Sequence, residues 1–454
     1  MIRNSEELSS KGNAKGRKAI LDIIEYALDQ VNSYNLIRDL VKFQDYLKIG
    51  SLTFDLDKVK NLFVVGGGKQ VTFAAAALED VLGDRISKGI VVEKRGWGCR
   101  TRRIRVVEGG HPIPDRGSIS GAEEIIRVSK EADKDDLVIV CVTGGCTSLT
   151  TLPPKGITLE EVVKVFDLLL RSGAPIEDMN TVRKHLSQVG GGKLSMLIHP
   201  AETVGLVAVD EVAGLPWGPT VPDTTTFSDA IHVLTKYSLW NAVPASIQEY
   251  LERADPLEDT PKMNDFERNR VRVRNLVFAD NKMLCKAAER RAAELGMNAS
   301  IISTSIEGEA KDAGVVLASI AKEIEKSSRP LKPPCVIIAG GETIVTLTGD
   351  HGEGGRNQEL ALAAALKIAG SKRTVIASIG TDGTDGPTDI AGGIVDGYTL
   401  EEAKHTGIDI FEHLKRHDSA SAFRKLGDAI YTENTGTNLM DLMLVYVGEQ
   451  DNKQ

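Results

Sequence analysis

Four short apolar runs, each ending abruptly in glycine, constrain this chain more than any other feature: LFVVGGGK (62–69), LVIVCVTGGC (137–146), CVIIAGGET (335–343) and TVIASIGTDG (374–383). Continuous apolar runs of this length suit strands buried on both faces, as in a parallel sheet covered by helices. Helical stretches follow several of them, and alternating β and α patterns predict an α/β fold. In such sheets ligands gather beyond the carboxyl ends of the strands, which is where these glycine-rich loops fall. The first 50 residues differ: AILDIIEYALDQV and LIRDLVKFQDYL place apolar residues at steps of three and four and predict helices.

At 454 residues the chain is about three times the usual single-domain length, so two domains are expected. Residues 241–270 carry three prolines, many charges and no strand signal. We place the boundary there, giving an N-terminal α/β domain over 1–245, with the helical segment 17–50 included, and a second α/β domain over 246–454. SSRPLKPP (327–334) reads as a loop leading into a strand at Cys335. The net charge of −9 leaves no basic footprint for nucleic acid or an anionic membrane. No apolar stretch approaches the roughly 18 residues of a membrane span. The polar start MIRNSEELSSKGNAKGRKAI is unlike a secretory signal, and the five cysteines (99, 141, 146, 285, 335) have no CxxC spacing. These features predict a cytoplasmic protein with reduced thiols that acts on small molecules, with a homo-oligomer allowed.

The chemistry-bearing residues cluster in the glycine loops. Gly66, Gly67 and Gly68 open a helix with Lys69 beside them, and successive backbone N–H groups at a helix start can hold an anion. Two familiar patterns fail here. A Walker loop needs glycine six before the lysine and Ser/Thr after it, where Phe63 and Gln70 stand. A dinucleotide loop needs a third glycine where Thr72 and Phe73 stand. Thr143, Gly144, Gly145, Thr147 and Ser148 repeat the logic with hydroxyls. Cys146, between them, reads as a small buried residue. For both loops the plainer alternative is a tight strand–helix turn.

In MNTVRKHLSQVGGGKL (179–194), Arg183 and Lys184 are candidate contacts for an acidic substrate, or else a solvated helix face. His185 has no partner at metal-ligand spacing. Asp382, Asp385 and Asp389 in GTDGTDGPTD suit a hard cation such as Mg²⁺ held with substrate phosphates, though aspartate in such a loop also serves turns. Arg356 and Asn357, between paired glycines and a helical run, suit carboxylate or phosphate recognition, or the pinning of a neighbouring loop. Two anion cradles, a lysine, an arginine and a carboxylate loop together fit phosphoryl transfer, where catalysis is mostly positioning and charge stabilisation.

The chain resembles the class II glycerate kinases, the glycerate 2-kinases with a C-terminal MOFRL domain. The matching segments include VVGGGK (64–69), EGGHPIPDRGS (108–118), SGAPIEDMNTVRKHLSQVGGGKL (172–194), GPTVPDTTTFSDA (218–230), GGETIVTLTGDHGEGGRNQELAL (340–362), IGTDGTDGPTDIAGGIVD (379–396) and NTGTNLMDLMLVYV (434–447). They run in order from about residue 17 to 448. The resemblance implies a Rossmann-like N-terminal domain with a parallel sheet, a second α/β domain and an active site in the cleft they form. It also implies ATP- and Mg²⁺-dependent phosphorylation of D-glycerate at the 2-hydroxyl, giving 2-phosphoglycerate and ADP. Lys69 and Arg356 fall on the family's active-site lysine and arginine. Our expectation adds Asp382 and Asp389 for metal, Asp385 or Asp382 as proton acceptor, and Arg183, Lys184 and Asn357 for substrate.

Two departures stand out. The family's Ser-Gly-Gly-Gly-Ser-Ser loop reads TGGCTS here. The stretch AVDEVAGLPWGPT (208–220) is shortened, with Trp217 in the place of a serine. A kinase of another small hydroxy or sugar acid is the first alternative these suggest, and a non-catalytic anion-binding protein a further one. A hydroxypyruvate reductase would need a nicotinamide site, which the failed dinucleotide pattern argues against.

Overall fold

The structure, a computed structural model, describes residues 1–208, 217–347 and 349–450. It contains two compact units, one of Met1–Asn32 with the chain from Asp280 on, the other running from Ser33 to Ala279. The division therefore falls after residue 279 rather than at the expected 245/246, and the first residues belong with the C-terminal unit. Backbone pairing and buried charge account for both differences.

In the 33–279 unit a small antiparallel sheet, β1 (Val41–Phe43), β2 (Leu47–Ile49) and β3 (Leu52–Phe54), precedes the main one. LIRDLVKFQDYL is thus helix only to Leu40, after which Val41–Phe43 pairs as a strand. The main sheet holds β4 (Leu62–Gly67), β5 (Ile86–Lys94), β6 (Ile104–Gly109), β7 (Leu137–Val142), β8 (Glu202–Ala208) and β9 (Val273–Ala279). All its pairings are parallel, in the order β6-β5-β4-β7-β8-β9. This is the doubly wound order, and its direction of winding reverses where β4 lies beside β7. β4 and β7 are buried throughout, as their unbroken apolar runs require. The expected glycine loops leave these two strands. Because β9 pairs with β8, a boundary at 245 would cut a strand from its sheet.

The other unit centres on a mixed sheet of β10 (Asn298–Ile306), β11 (Cys335–Gly341), β12 (Thr374–Gly380), β13 (Gly392–Asp396), β14 (Ala429–Ile430) and β15 (Asp441–Val447). Only β10 and β11 are parallel; β15 runs antiparallel to both β11 and β12. The apolar runs of β11 and β12 therefore report burial on both faces, not strand direction. Met443, Val445 and Val447 join the core beneath helices Ala310–Ser327 and Arg356–Ile368. The alternate residue Tyr446 meets Gly16 of helix Ala14–Gln30 on the opposite face, as strand alternation demands. That helix is anchored by Arg17, whose buried guanidinium pairs with Asp396 (2.6 Å) and Asp428 (2.7 Å).

Candidate active site

The loops after β4 and β7 are stitched together. Lys69 N–H donates to Gly144 O (2.7 Å), Thr143 N–H to Gly67 O (3.2 Å), and the Thr143 hydroxyl to Lys69 O (2.8 Å). This close approach is what requires glycine at 68. Its φ is +132°, and a Cβ there would lie 2.2 Å from Thr143 Oγ1.

The first loop is not an anion cradle. Gly68 N–H donates to Val92 O, Val71 N–H to Gly68 O, and the Gln70 and Thr72 N–H groups go to the carboxylate of Glu93 at 2.9 and 3.2 Å. The Thr72 hydroxyl (3.1 Å) and Lys94 N–H (2.9 Å) complete the Glu93 shell. The start of helix Val71–Leu82 already holds an anion, and that anion is part of the protein. Burial pushes the Glu93 carboxyl up, against the pull of these donors. Gly66, Gly67 and Gly68 thus serve close packing, and Lys69 beside them is partly exposed.

The second loop is different. Among the described residues no protein acceptor takes the N–H groups of Gly144, Gly145, Thr147 or Ser148. Gly145 has φ +81°, and a Cβ on it would lie 2.6 Å from the His111 ring. His111, which has no role among the expectations above, therefore flanks the loop. The Ser148 hydroxyl donates to Pro112 O (2.8 Å), leaving Thr147 as the loop's half-buried hydroxyl without a partner among the described residues. Helix Ile176–His185 packs against this turn and carries Arg183. Arg183 is 6% exposed, and its Nε and Nη2 have no hydrogen-bond partner among the described residues. Its guanidinium stacks 4.9 Å from the Phe166 ring, and burial pushes it down to about 10. A buried cation without a counter-charge is strongly disfavoured, and among the described residues no carboxylate pairs with Arg183. Lys184 differs: its ammonium pairs with Asp223 at 2.6 Å.

In the other unit, antiparallel pairing sets Asp441 at the start of β15 opposite both Gly341 and Gly380. Arg356 grips its carboxylate with Nε (2.7 Å) and Nη2 (3.0 Å) and reaches Glu342 with Nη1 (2.8 Å). Three of its five N–H groups are so committed, and 31% of the side chain stays exposed.

Three expectations about this loop cluster are corrected. Asn357 is 1% exposed; its Nδ2 serves Asp385 (3.2 Å) and Asp441 (2.8 Å), and its Oδ1 accepts from Ser378 (2.5 Å). It is a structural bracket with no group left for substrate. Asp385 accepts the N–H groups of Asn357 (3.1 Å) and Gln358 (2.9 Å), capping helix Arg356–Ile368 from inside, where burial pushes its carboxyl up to about 6. It holds a helix start rather than receiving a substrate proton. Asp389 faces outward and pairs with Arg424 (2.9 Å), while Asp382 accepts the Thr384 N–H (3.0 Å). Among the described residues no three His, Cys, Asp or Glu side chains form a metal-holding group, and Asp389 is committed to Arg424.

Asp441 and Glu93 are the residues that sequence reading missed. A single carboxylate opening the apolar run DLMLVYV was the available signal for Asp441. The shortened 208–220 stretch falls largely on 209–216, outside the described residues.

Fold and loops together define a class: a two-unit α/β protein with a doubly wound sheet, an anion-ready loop at its reversal point and a fixed arginine in the second unit. Residues 335–441 match the MOFRL family model, and 19–252 match a domain of unknown function (DUF4147). A glycerate 2-kinase of Pyrococcus horikoshii is 40% identical over 95% of this chain and 97% of its own. A D-glycerate 2-kinase of Thermotoga maritima is 41% identical over 86% and 91%. The solved structure of a Thermotoga maritima glycerate kinase, 37% identical, matches with a TM-score of 0.77 over 95% of this chain and 99% of that one. This chain belongs to the glycerate kinase family that carries the MOFRL domain.

Proposed function

We propose that this protein transfers the γ-phosphoryl group of ATP to the 2-hydroxyl of D-glycerate, giving 2-phosphoglycerate and ADP. The observation that carries the reading is the identity of about two residues in five with a glycerate 2-kinase along nearly the whole of both chains. The open amides of Gly144, Gly145, Thr147 and Ser148 support it, since phosphoryl transfer asks mainly for fixed donors around phosphate oxygens. Lys69 adds a full charge on the transferring group, and Arg183 takes an anionic group of substrate in the place where it lacks a counter-charge. Arg356, already oriented by Asp441 and Glu342, offers its two remaining N–H groups to the same chemistry. Asp382 is the proton acceptor of this reading, now that Asp385 is a helix cap. The hydroxyl oxygen bonds to phosphorus, its proton passes to Asp382, and the β–γ bridging bond breaks with its electron pair leaving on ADP.

In this reading Mg²⁺ enters with ATP, bound to the phosphates, as part of the substrate. The test is phosphate transfer from ATP to D-glycerate with Mg²⁺, the two phosphoglycerates being resolved by NMR. The 2-product with Lys69→Ala inactive upholds the reading; ATP binding without any product sinks it and points to another hydroxy acid, with Trp217 the first residue to exchange.

A further inference from the structure

A cavity of about 500 Å³ opens in the 33–279 unit, lined by none of the residues assigned above to the reaction. Its walls come from the turn around Ser187, the start of helix Lys193–Ile198, Tyr250 and the 256–269 segment. The charges on these walls are unevenly committed. Three acids line it, and each is already engaged: Glu258 with Arg253 (2.5 Å), Asp259 with His185 (3.1 Å) and Asp265 with Arg268 (2.8 Å). The cations Lys193 and Lys155 form no ion pair among the described residues, and Lys193 Nζ has only the Ser187 carbonyl, at 2.8 Å. Tyr250 is 5% exposed, yet its hydroxyl has no hydrogen-bond partner among the described residues. Three donors therefore face one cavity with no protein acceptor for their free protons. Met196 and Leu197 add apolar surface to this polar set, so the cavity offers both a charged and an apolar contact. Burial pushes the Lys193 ammonium down to about 8, the expected sign for a cation that lacks its counter-ion.

We propose that this cavity is a second ligand site, binding a small organic anion whose phosphate or carboxylate sits on Lys193 and Tyr250. Lys155, exposed, stands at the mouth, and the carbon skeleton lies along Met196 and Leu197. The site goes beyond the kinase reading and does not depend on it, because it shares no residue with the Gly145 loop, Arg183 or Arg356.

Acylation of lysines in the full-length protein by trace acetic anhydride, mapped by mass spectrometry, tests this. The probes are inorganic phosphate and 2-phosphoglycerate, compared with chloride at equal ionic strength. At a probe concentration of about ten times its Kd, Lys193 labelling falls roughly tenfold. That protection survives in Arg183→Met, which disables the proposed active site, and weakens in Tyr250→Phe, a change small enough to leave the fold intact. Equal labelling with and without both probes overturns the proposal, as does a Lys193 that never labels. Protection that vanishes in Arg183→Met also overturns it, since the cavity would then be part of the reaction site.

Discussion

Arg183 sets function against stability. A guanidinium held 6% exposed, with Nε and Nη2 unpartnered among the described residues, burdens the fold, and in the proposed reaction an anionic group of substrate relieves it. Arg183→Met removes that burden and forfeits the stacking on Phe166, worth about 0.5–1 kcal/mol. We expect the urea midpoint of Arg183→Met to hold or rise while kcat/KM falls about a hundredfold, roughly 2.7 kcal/mol. A variant that loses stability and keeps its kcat/KM would make Arg183 a core residue. Asp385 gives the residue scale a pH signature. Its carboxyl is raised in the fold from 3.8 to about 6, so the native state holds a proton that unfolding releases. The linked stability is complete below about pH 4 and is lost as pH rises through about 6. The stability of the wild type relative to Asp385→Asn should therefore grow on acidification from pH 7 to 4.5, by at most about 3 kcal/mol. Urea titrations of both proteins across this range measure it, and a flat difference contradicts the burial argument. These roles were illegible in sequence for a plain reason. The partners of Asn357 lie 28 and 84 residues away, and neither separation leaves a periodic trace.

At the scale of elements, the sequence carried the strands and the loops but not what fills them. LFVV, LVIVCV, CVIIA and TVIASI each became a buried strand, because burial on both faces writes itself as an unbroken apolar run. Direction leaves no such mark, which is why β11 and β12 are antiparallel to β15 against expectation. The Gly66–Lys69 turn shows the same limit. A glycine turn opening a helix looks alike whether the helix start is vacant or holds a carboxylate from the neighbouring strand, and here Glu93 of β5 holds it. Glu93→Ala should leave the Gln70 and Thr72 N–H groups unsatisfied inside the fold and cost about 3 kcal/mol. Formate, a carboxylate small enough for the vacated place, should restore part of that stability where chloride at equal ionic strength does not. Thermal unfolding with each salt decides. Equal response to both salts would mean that Glu93 does not stand in for an anion.

For the whole molecule, the chain's ends and its units are out of step, and fragments expose this. Composition placed a boundary at 245 because prolines and charges gather over 241–270, but those residues form helices Ala245–Arg253 and Met263–Asn269, and the chain then returns as β9 beside β8. Composition also cannot show that Arg17, near the beginning, meets Asp396 and Asp428 near the end; that pairing joins positions 379 and 411 residues apart. A fragment of residues 33–279 keeps all six strands of the doubly wound sheet, whereas 1–245 lacks β9 and carries helix Ala14–Gln30 without the sheet it covers. The 33–279 fragment should give dispersed NMR spectra and a cooperative urea transition, and 1–245 should aggregate or unfold without cooperativity. The C-terminal part makes the complementary case. Residues 280–454 alone leave Asp396 and Asp428 buried without Arg17, and breaking a buried pair costs about 3–5 kcal/mol. Adding a peptide of residues 1–32 should then raise the fragment's thermal midpoint with the logarithm of peptide concentration once sites are mostly filled, as binding to the native state alone requires. The same peptide with Arg17→Ala should do far less. If both peptides stabilise it equally, the helix docks through its apolar face, and the two ion pairs contribute nothing to where the chain begins and ends.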